Sequence, residues 1–206
     1  MIRVRAYVDG YNLYHAIKRL RDPHLKWVDL WKLVDRFVPN RTAQLVGVDY
    51  FSAYATWLPP QMARHKAYVA ALEVQGVRPI MSSFKEKDRR CPSCGHGYKG
   101  HEEKETDVRI ALAILNDARL DLYDRAVIVS RDSDIVPAAE LVKAAFPEKE
   151  VYALAPPSLG HSNEMLRLCN GKQKIKRKHV EESLLPAQLV DRAGNPIARP
   201  VEYDPP

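Results

Sequence analysis

Residues 3–20 read RVRAYVDGYNLYHAIKRL, and this stretch decides the fold. Arg3 to Val8 is a short run of β-forming residues that stops at Asp9-Gly10. Leu13, Ala16, Ile17 and Leu20 then recur at the spacing of one helix face. A strand that passes directly into a helix, with an acid at the junction, is the repeating unit of an open α/β sheet. The same alternation continues outward. Asp29 to Val38 repeats the helical spacing with Leu30, Leu33, Val34 and Phe37, and Pro39 stops it. Gln44 to Ala55 is rich in β-branched and aromatic residues. Pro59-Pro60 opens a helix to about Val74, Gly76 ends it, and Val77 to Phe84 is a third strand.

Beyond an irregular stretch, Thr106 is placed to cap a helix whose apolar stripe is Val108, Ala111, Leu112 and Leu115. Ala126 to Ser130 is a compact strand. A helix from about Ser133 to Ala145 follows, with Pro137 in its first turn, and Val151 to Ala155 is a further strand. The expected fold class is α/β: a doubly wound, mainly parallel sheet with right-handed crossovers and helices on both faces. Residues 85–105 break the pattern and form a Cys/His-containing CxxC loop insertion. Gly171 marks another change. Lys172 to Lys178 carries Lys172, Lys174, Lys176, Arg177 and Lys178 without an acid, and a Pro-rich stretch follows. The expected organisation is one domain over 1–170 and a basic, then Pro-rich tail over 171–206, extended or partly disordered.

Composition narrows the class. The chain has 206 residues, 46 % of them apolar, enough for a packed core. No apolar run approaches the roughly 18 residues of a membrane span. The N-terminus lacks a secretory apolar core, so the chain reads as soluble and cytoplasmic, without a membrane role. Three cysteines, two of them in one CxxC, do not make a disulfide framework. A formal net charge of +6 favours polyanionic partners, nucleic acid among them, though charge alone does not select one.

Parallel α/β sheets build ligand sites beyond the carboxyl ends of their strands. Asp9, Asp132 and Asp134 follow strands, and Asp107 opens a helix that enters the same region. Clustered carboxylates repel one another unless a cation or a proton compensates. Mg²⁺ and Mn²⁺ prefer oxygen ligands, and either can stabilise charge building up on a phosphate. Each aspartate also has a structural reading. Asp132 and Asp134 suit a helix N-terminus, Asp9-Gly10 suits a turn, and Asp107 suits the positive end of a helix dipole.

Three blocks carry a family resemblance: Val8 to Leu13 (VDGYNL), Lys104 to Val108 (KETDV) and Val127 to Asp134 (VIVSRDSD). Together, over about Arg3 to Cys169, they resemble the NYN domain, the LabA-like branch of the PIN-like nuclease superfamily. The resemblance implies Mg²⁺ or Mn²⁺ held by Asp9, Asp107, Asp132 and Asp134, and hydrolysis of phosphodiester bonds, most often in RNA. It also implies substrate-side roles for Asn12, Ser130 and Ser133. Arg131 stands where the family usually has glycine. It could face the scissile phosphate as a bidentate donor, or simply face solvent. Tyr11 and Trp57 could stack on bases, and Lys104 could lie along the strand.

Cys91-Pro92-Ser93-Cys94-Gly95-His96, with His101 beyond, has the spacing of a structural zinc knuckle. A homodimer could supply a missing ligand, and a pair of reduced thiols is the alternative. Such a knuckle would present Lys85, Lys87, Arg89, Arg90, Lys99 and Lys104 near the acidic edge. The alternating lysines after Gly171 suit either a phosphate track or one face of an edge strand. Two other activities share the pattern: a non-catalytic RNA-binding module, and a phosphatase or nucleotide-processing enzyme on a similar sheet.

Overall fold

The computed structural model describes residues 1–206. Its elements are β1 (Ile2–Asp9), α1 (Gly10–Lys18), α2 (Leu30–Asp35), β2 (Ala43–Ala53), α3 (Pro59–Val74), β3 (Arg78–Arg90), β4 (Gly97–Lys104) and α4 (Thr106–Arg119). They continue with β5 (Arg125–Val129), α5 (Val136–Ala145), β6 (Glu150–Ala155), α6 (Asn163–Leu168), β7 (Gly171–Lys174), α7 (Arg177–Glu181), β8 (Gln188–Val190) and β9 (Pro196–Ala198). Seven strands form one sheet in the order β4-β3-β2-β1-β5-β6-β7. All its pairings are parallel except β3 with β4. The chain leaves β1 toward β2 and β3, then returns to build β5, β6 and β7 on the other side. This reversal at β1 is the topological switch point, where open α/β sheets place their ligand crevice.

The period of two along each strand divides the apolar residues between two cores. Val4, Ala6 and Val8 of β1 join Val127 and Val129 of β5 in the core under α1, α2 and α3. Tyr7, Ala126 and Ile128 face the other way, with Ile110 and Ile114 of α4, Ala139 and Val142 of α5 and Met165 of α6. Local signals fix the helix ends. The Asp29 side chain accepts from Lys32 N at the start of α2, and Pro59 and Pro60 begin α3. Gly76, at φ +86°, supplies the left-handed turn between α3 and β3.

A buried ionic network ties α4 to the sheet. Asp49 and Asp117 are almost completely buried. Arg5 Nη2 meets Asp49 Oδ1 at 2.9 Å, and Arg5 Nε meets Asp117 Oδ2 at 2.9 Å. Arg78 contacts Asp49 from β3 at 2.6 Å, and the Tyr7 hydroxyl donates to Asp117 Oδ2 at 3.0 Å. One cluster therefore joins β1, β2, β3 and α4.

Several sequence expectations change. The insertion at 85–105 is a long antiparallel hairpin of β3 and β4, not a loop, with Cys91 to His96 at its tip. The buried face of α4 carries Ile110, Ile114, Asp117 and Ala118, whereas Val108 and Leu112 are exposed. Asp117 sits inside because its charge is paired, and that pairing is invisible to an apolar count. Thr106 does not cap α4. The cap position is Glu105, in a left-handed conformation at φ 71°, while the Thr106 hydroxyl donates to Glu103 Oε1 at 2.7 Å.

The stretch expected to be a tail is folded. β7 adds a parallel edge strand beside β6, and Lys172 and Lys174 lie exposed along it, as an edge strand favours. Ile175, Val180 and Leu185 enter the first core, Trp27 Nε1 donates to Pro186 O at 2.8 Å, and β8 and β9 form a small hairpin. No helix is long and apolar enough to cross a membrane.

Asp117→Ala should destabilise the protein by about 3 kcal/mol, because it removes one of the two carboxylates that hold the Arg5 guanidinium and leaves the buried Tyr7 hydroxyl without its acceptor. Urea denaturation measures this, and a change below about 0.5 kcal/mol, the range of ordinary surface substitutions, would show that the network does not hold α4.

Candidate active site

The carboxyl ends of β1 and β5 lie side by side, since Val8 pairs with Val129. The residues just beyond them are therefore forced together. Asp9 is the N-cap of α1, and its Oδ1 accepts from Asn12 N at 2.9 Å. Its Oδ2 accepts from the Ser130 hydroxyl at 2.8 Å. Ser130 Oγ in turn accepts from Asp132 N at 3.0 Å, and Asp132 Oδ1 accepts from Asp134 N at 2.9 Å. A continuous relay thus runs from the end of β1 to the turn after β5, so Asp9 and Asp132 are both caps and neighbours.

Asp9, Asn12, Asp107 and Asp132 line one cleft of about 110 Å³, together with Tyr11, Glu103, Glu105 and Thr106. Asp9 is 5 % exposed. Burial raises its carboxyl to about pH 6 against the bonds from Asn12 and Ser130, and the charges of Asp107 and Glu103 push the same way. Burial also raises Asp107, reinforced by Asp132 and Asp134. Glu103 is raised by burial and by Asp107, while its bond from Thr106 opposes. The acids therefore repel one another across the cleft.

The sequence missed Glu103 and Glu105. Glu103 stands just before the KETD block and Glu105 is its second residue, but they belong to the end of the hairpin and its turn, and only strand pairing carries them to the cleft. Asp134 does not line the cleft; it is exposed on the 3₁₀ turn Ser133–Ile135 and acts through its charge on Asp107. Ser133 and Arg131 are exposed as well. Arg131 has no positive φ, so the turn does not need the glycine usual in the family. Lys104 Nζ is drawn to Glu102 at 2.8 Å and lies outside the cleft lining. Lys87 and Lys99 are likewise paired across the hairpin with Glu102, Glu86 and Asp88.

Cys91, Cys94, His96 and His101 do not come together as four ligands. Gly95 N donates to Cys91 O and Cys91 N to His96 O, which closes a tight turn at the tip. Backbone N–H groups of Cys94 and Ser93 directed at Cys91 lower its thiol. His101 pairs with Glu86 in the hairpin ladder, four positions from the Arg90–Gly97 pair, or roughly 13 Å along the strand. A tetrahedral zinc at the tip would need ligands from elsewhere, such as a second chain.

No group of three or more His, Cys, Asp and Glu side chains is arranged to hold a metal ion as placed. The donor chemistry of the cleft nonetheless suits a hard cation. Every candidate ligand is oxygen, and the Asn12 Oδ1 atom is buried without a hydrogen-bond partner. Mg²⁺ is commonly held by one or two carboxylates, its own waters and a substrate phosphate. Asp9, Asp107 and Asp132 are the residues that would hold it.

Comparison with known proteins places this chain in a family. The chain is 26 % identical over 178 residues to 6-hydroxy-3-succinoylpyridine 3-monooxygenase HspA of Pseudomonas putida (strain DSM 28022 / S16); the match covers 69 % of this chain and 56 % of that protein. The chain thus spans little more than half the length of this relative. A crystal structure of a protein of unknown function from Vibrio parahaemolyticus shares the fold, with a TM-score of 0.60 at 18 % identity, over 89 % of this chain and 96 % of that one. Residues 3–174 match the NYN domain, which takes in β1 to β7 and every residue of the acidic cleft, so the chain belongs to the NYN domain family of PIN-like nucleases.

Proposed function

We propose that this protein is a metal-dependent nuclease that hydrolyses phosphodiester bonds, with RNA as its substrate. The observation that carries the reading is the meeting of Asp9, Asp107, Asp132 and Glu103 in one cleft at the switch point of the sheet. Holding these carboxylates together costs stability, and family membership supports a nuclease use for that cost. The preference for RNA over DNA rests on the family resemblance alone.

A divalent ion, Mg²⁺ or Mn²⁺, bound among the aspartates would neutralise their repulsion and stabilise charge on the phosphate oxygens. The chain's own groups do the rest. Asp9 is held by Asn12 N and Ser130 Oγ, so its carboxylate is oriented before substrate arrives. Asp132 is anchored through its own N–H to the same serine. Water attacks phosphorus as the P–O3′ bond breaks, which leaves a 5′-phosphate and a 3′-hydroxyl. Arg131, exposed beside Asp132, can meet the phosphate at the rim.

A second reading comes from the relative's name: oxygenation of a small hydroxylated heteroaromatic. An aromatic-lined cavity next to the cleft favours it. Oxygen uptake with 6-hydroxy-3-succinoylpyridine, unaffected by Asp132→Asn, would support that reading over cleavage. A non-catalytic RNA-binding module would bind RNA with no turnover at any metal concentration.

Two outcomes are expected. Single-stranded RNA should be cleaved with Mg²⁺ or Mn²⁺ and not in EDTA, and Asp9→Asn or Asp132→Asn should lower the rate at least about 100-fold. Full activity in either variant refutes the assignment. The second outcome is thermodynamic. The folded Asp9 carboxyl titrates near 6, above its ordinary 3.8, so the folded state holds a proton that the unfolded state has released. Its contribution to stability is present below pH 3.8 and is lost as pH rises through about 6. In EDTA, Asp9→Asn should therefore be more stable than the wild type by about 3 kcal/mol at pH 8, with a smaller margin at pH 5. Denaturant titration at both pH values reads this, and destabilisation at pH 8 would show that Asp9 serves the fold rather than the site.

A further inference from the structure

Beside the acidic cleft lies a second cavity, of about 540 Å³, between α1, α3, the base of the β3–β4 hairpin and Tyr203. The two share Tyr11, and Gly10, which lines the larger one, directly follows Asp9. A side chain at Gly10 would fill this wall. A Cβ there would stand 2.5 Å from the Tyr50 ring and 2.7 Å from Phe51 O.

The cavity is walled by rings whose planes are fixed. Trp57 stacks flat on His101, with centroids 3.6 Å apart and planes 9° from parallel, and Phe84 braces the indole edge-on at 4.8 Å. Tyr50 and Tyr54 pack edge-on against His65, and Tyr50 Oη lies 3.0 Å from His65 Nε2. Burial lowers His65 to about 4, so it is a neutral hydrogen-bonding group at neutral pH. The Gln61 amide and the Ser52 hydroxyl are further neutral polar groups of the lining. Arg64, the α3 cation in the lining, is paired with Glu202 at 2.7 Å.

The cavity therefore offers flat aromatic faces with neutral donors and acceptors beside Lys26, whose ammonium lies over the Tyr14 and Tyr203 rings, in a volume typical of sites for small organic molecules. That chemistry suits a planar heteroaromatic ring with a polar edge. A phosphate would find Arg64 already taken by Glu202 and Lys26 as the one further Lys or Arg of the lining, and a plain hydrocarbon would leave the polar groups unpaired. The place of the cavity selects the source of the ring. A strand whose phosphate lies in the acidic cleft carries its next base within one backbone step, on the side of Tyr11.

We propose that this cavity is a base-binding pocket, which takes one unstacked nucleobase of the strand adjacent to the phosphate in the acidic cleft. It rests on the nuclease reading above. One base is drawn from the stack and held against the Trp57–His101 pair, with its edge toward Gln61 and His65. The pocket thereby sets which nucleotide flanks the cut.

Binding without turnover separates the pocket from the chemistry. The full chain in EDTA is titrated with a short fluorescent single-stranded RNA and with copies that are abasic at each position in turn. One abasic position should weaken binding about 10-fold, within the range expected for loss of one stacked base. Trp57→Ala should weaken binding of the intact strand similarly and abolish the penalty at that position, whereas Trp57→Phe should restore it. Gln61→Leu, at an exposed position on α3, should change which base is preferred beside the cut when Mn²⁺ is added. If the abasic series is flat while Mn²⁺ still drives cleavage, the pocket proposal falls and the nuclease reading stands. If no strand is bound or cut, both fall. If a free hydroxypyridine binds and is displaced by Trp57→Ala while RNA does not bind, the cavity serves a small molecule and the proposal is overturned.

Discussion

The buried contact of Arg5 with Asp117 governs the rest of the site, because it decides where α4 lies. Asp107 and Asp117 stand on the same helix, roughly 15 Å apart along its axis. Arg5 and Tyr7 of β1 grip the Asp117 end, and Asp49 shares the Arg5 guanidinium. With that end fixed, the N-terminus of α4 must reach the carboxyl edge of the sheet, where Asp9 waits. A charged pair in a dry interior is a weak source of net stability, yet it is costly to break and specific in position. Here the specificity matters more, since a small slide of α4 would carry Asp107 away from Asp9 and Asp132.

The acidic edge shows the opposite economy. Asp9, Asp107 and Glu103 are all raised by burial and by neighbouring acids, so the fold holds like charges together in a cleft whose lining has no Lys or Arg. The turn into α4 adds backbone strain, with Glu105 in the left-handed region between β4 and the helix. Groups held against their own repulsion mark sites where function sets the terms. The relay through Ser130 keeps Asp9 and Asp132 oriented despite that repulsion.

The β3–β4 hairpin links the two neighbouring concavities. Its far strand supplies Glu103 to the cleft, while Phe84 and His101 build the wall of the aromatic cavity. Its lysines pair largely with its own acids, so it contributes shape and carboxylates more than free positive charge. The C-terminal segment completes the far wall, where Tyr203 packs against the first core and lines the cavity.

The sequence by itself determined the alternation of strand and helix, the parallel sheet, and the placing of Asp9 and Asp132 at strand ends. These are local properties: a period of two or 3.6, a capping residue, a proline or glycine at a boundary. Tertiary structure alone decided which face of α4 is buried, because Asp117 reads as a surface residue until its partners Arg5 and Tyr7 are known. It also decided that residues 85–105 pair as a hairpin that delivers Glu103, and that His101 stacks on Trp57 rather than joining Cys91 and Cys94. The folding of residues 171–206 was hidden for the same reason. Ile175, Val180 and Leu185 are too sparse among charges to signal a core, and they find one in a cluster that includes residues far earlier in the chain, such as Trp27 and Val28.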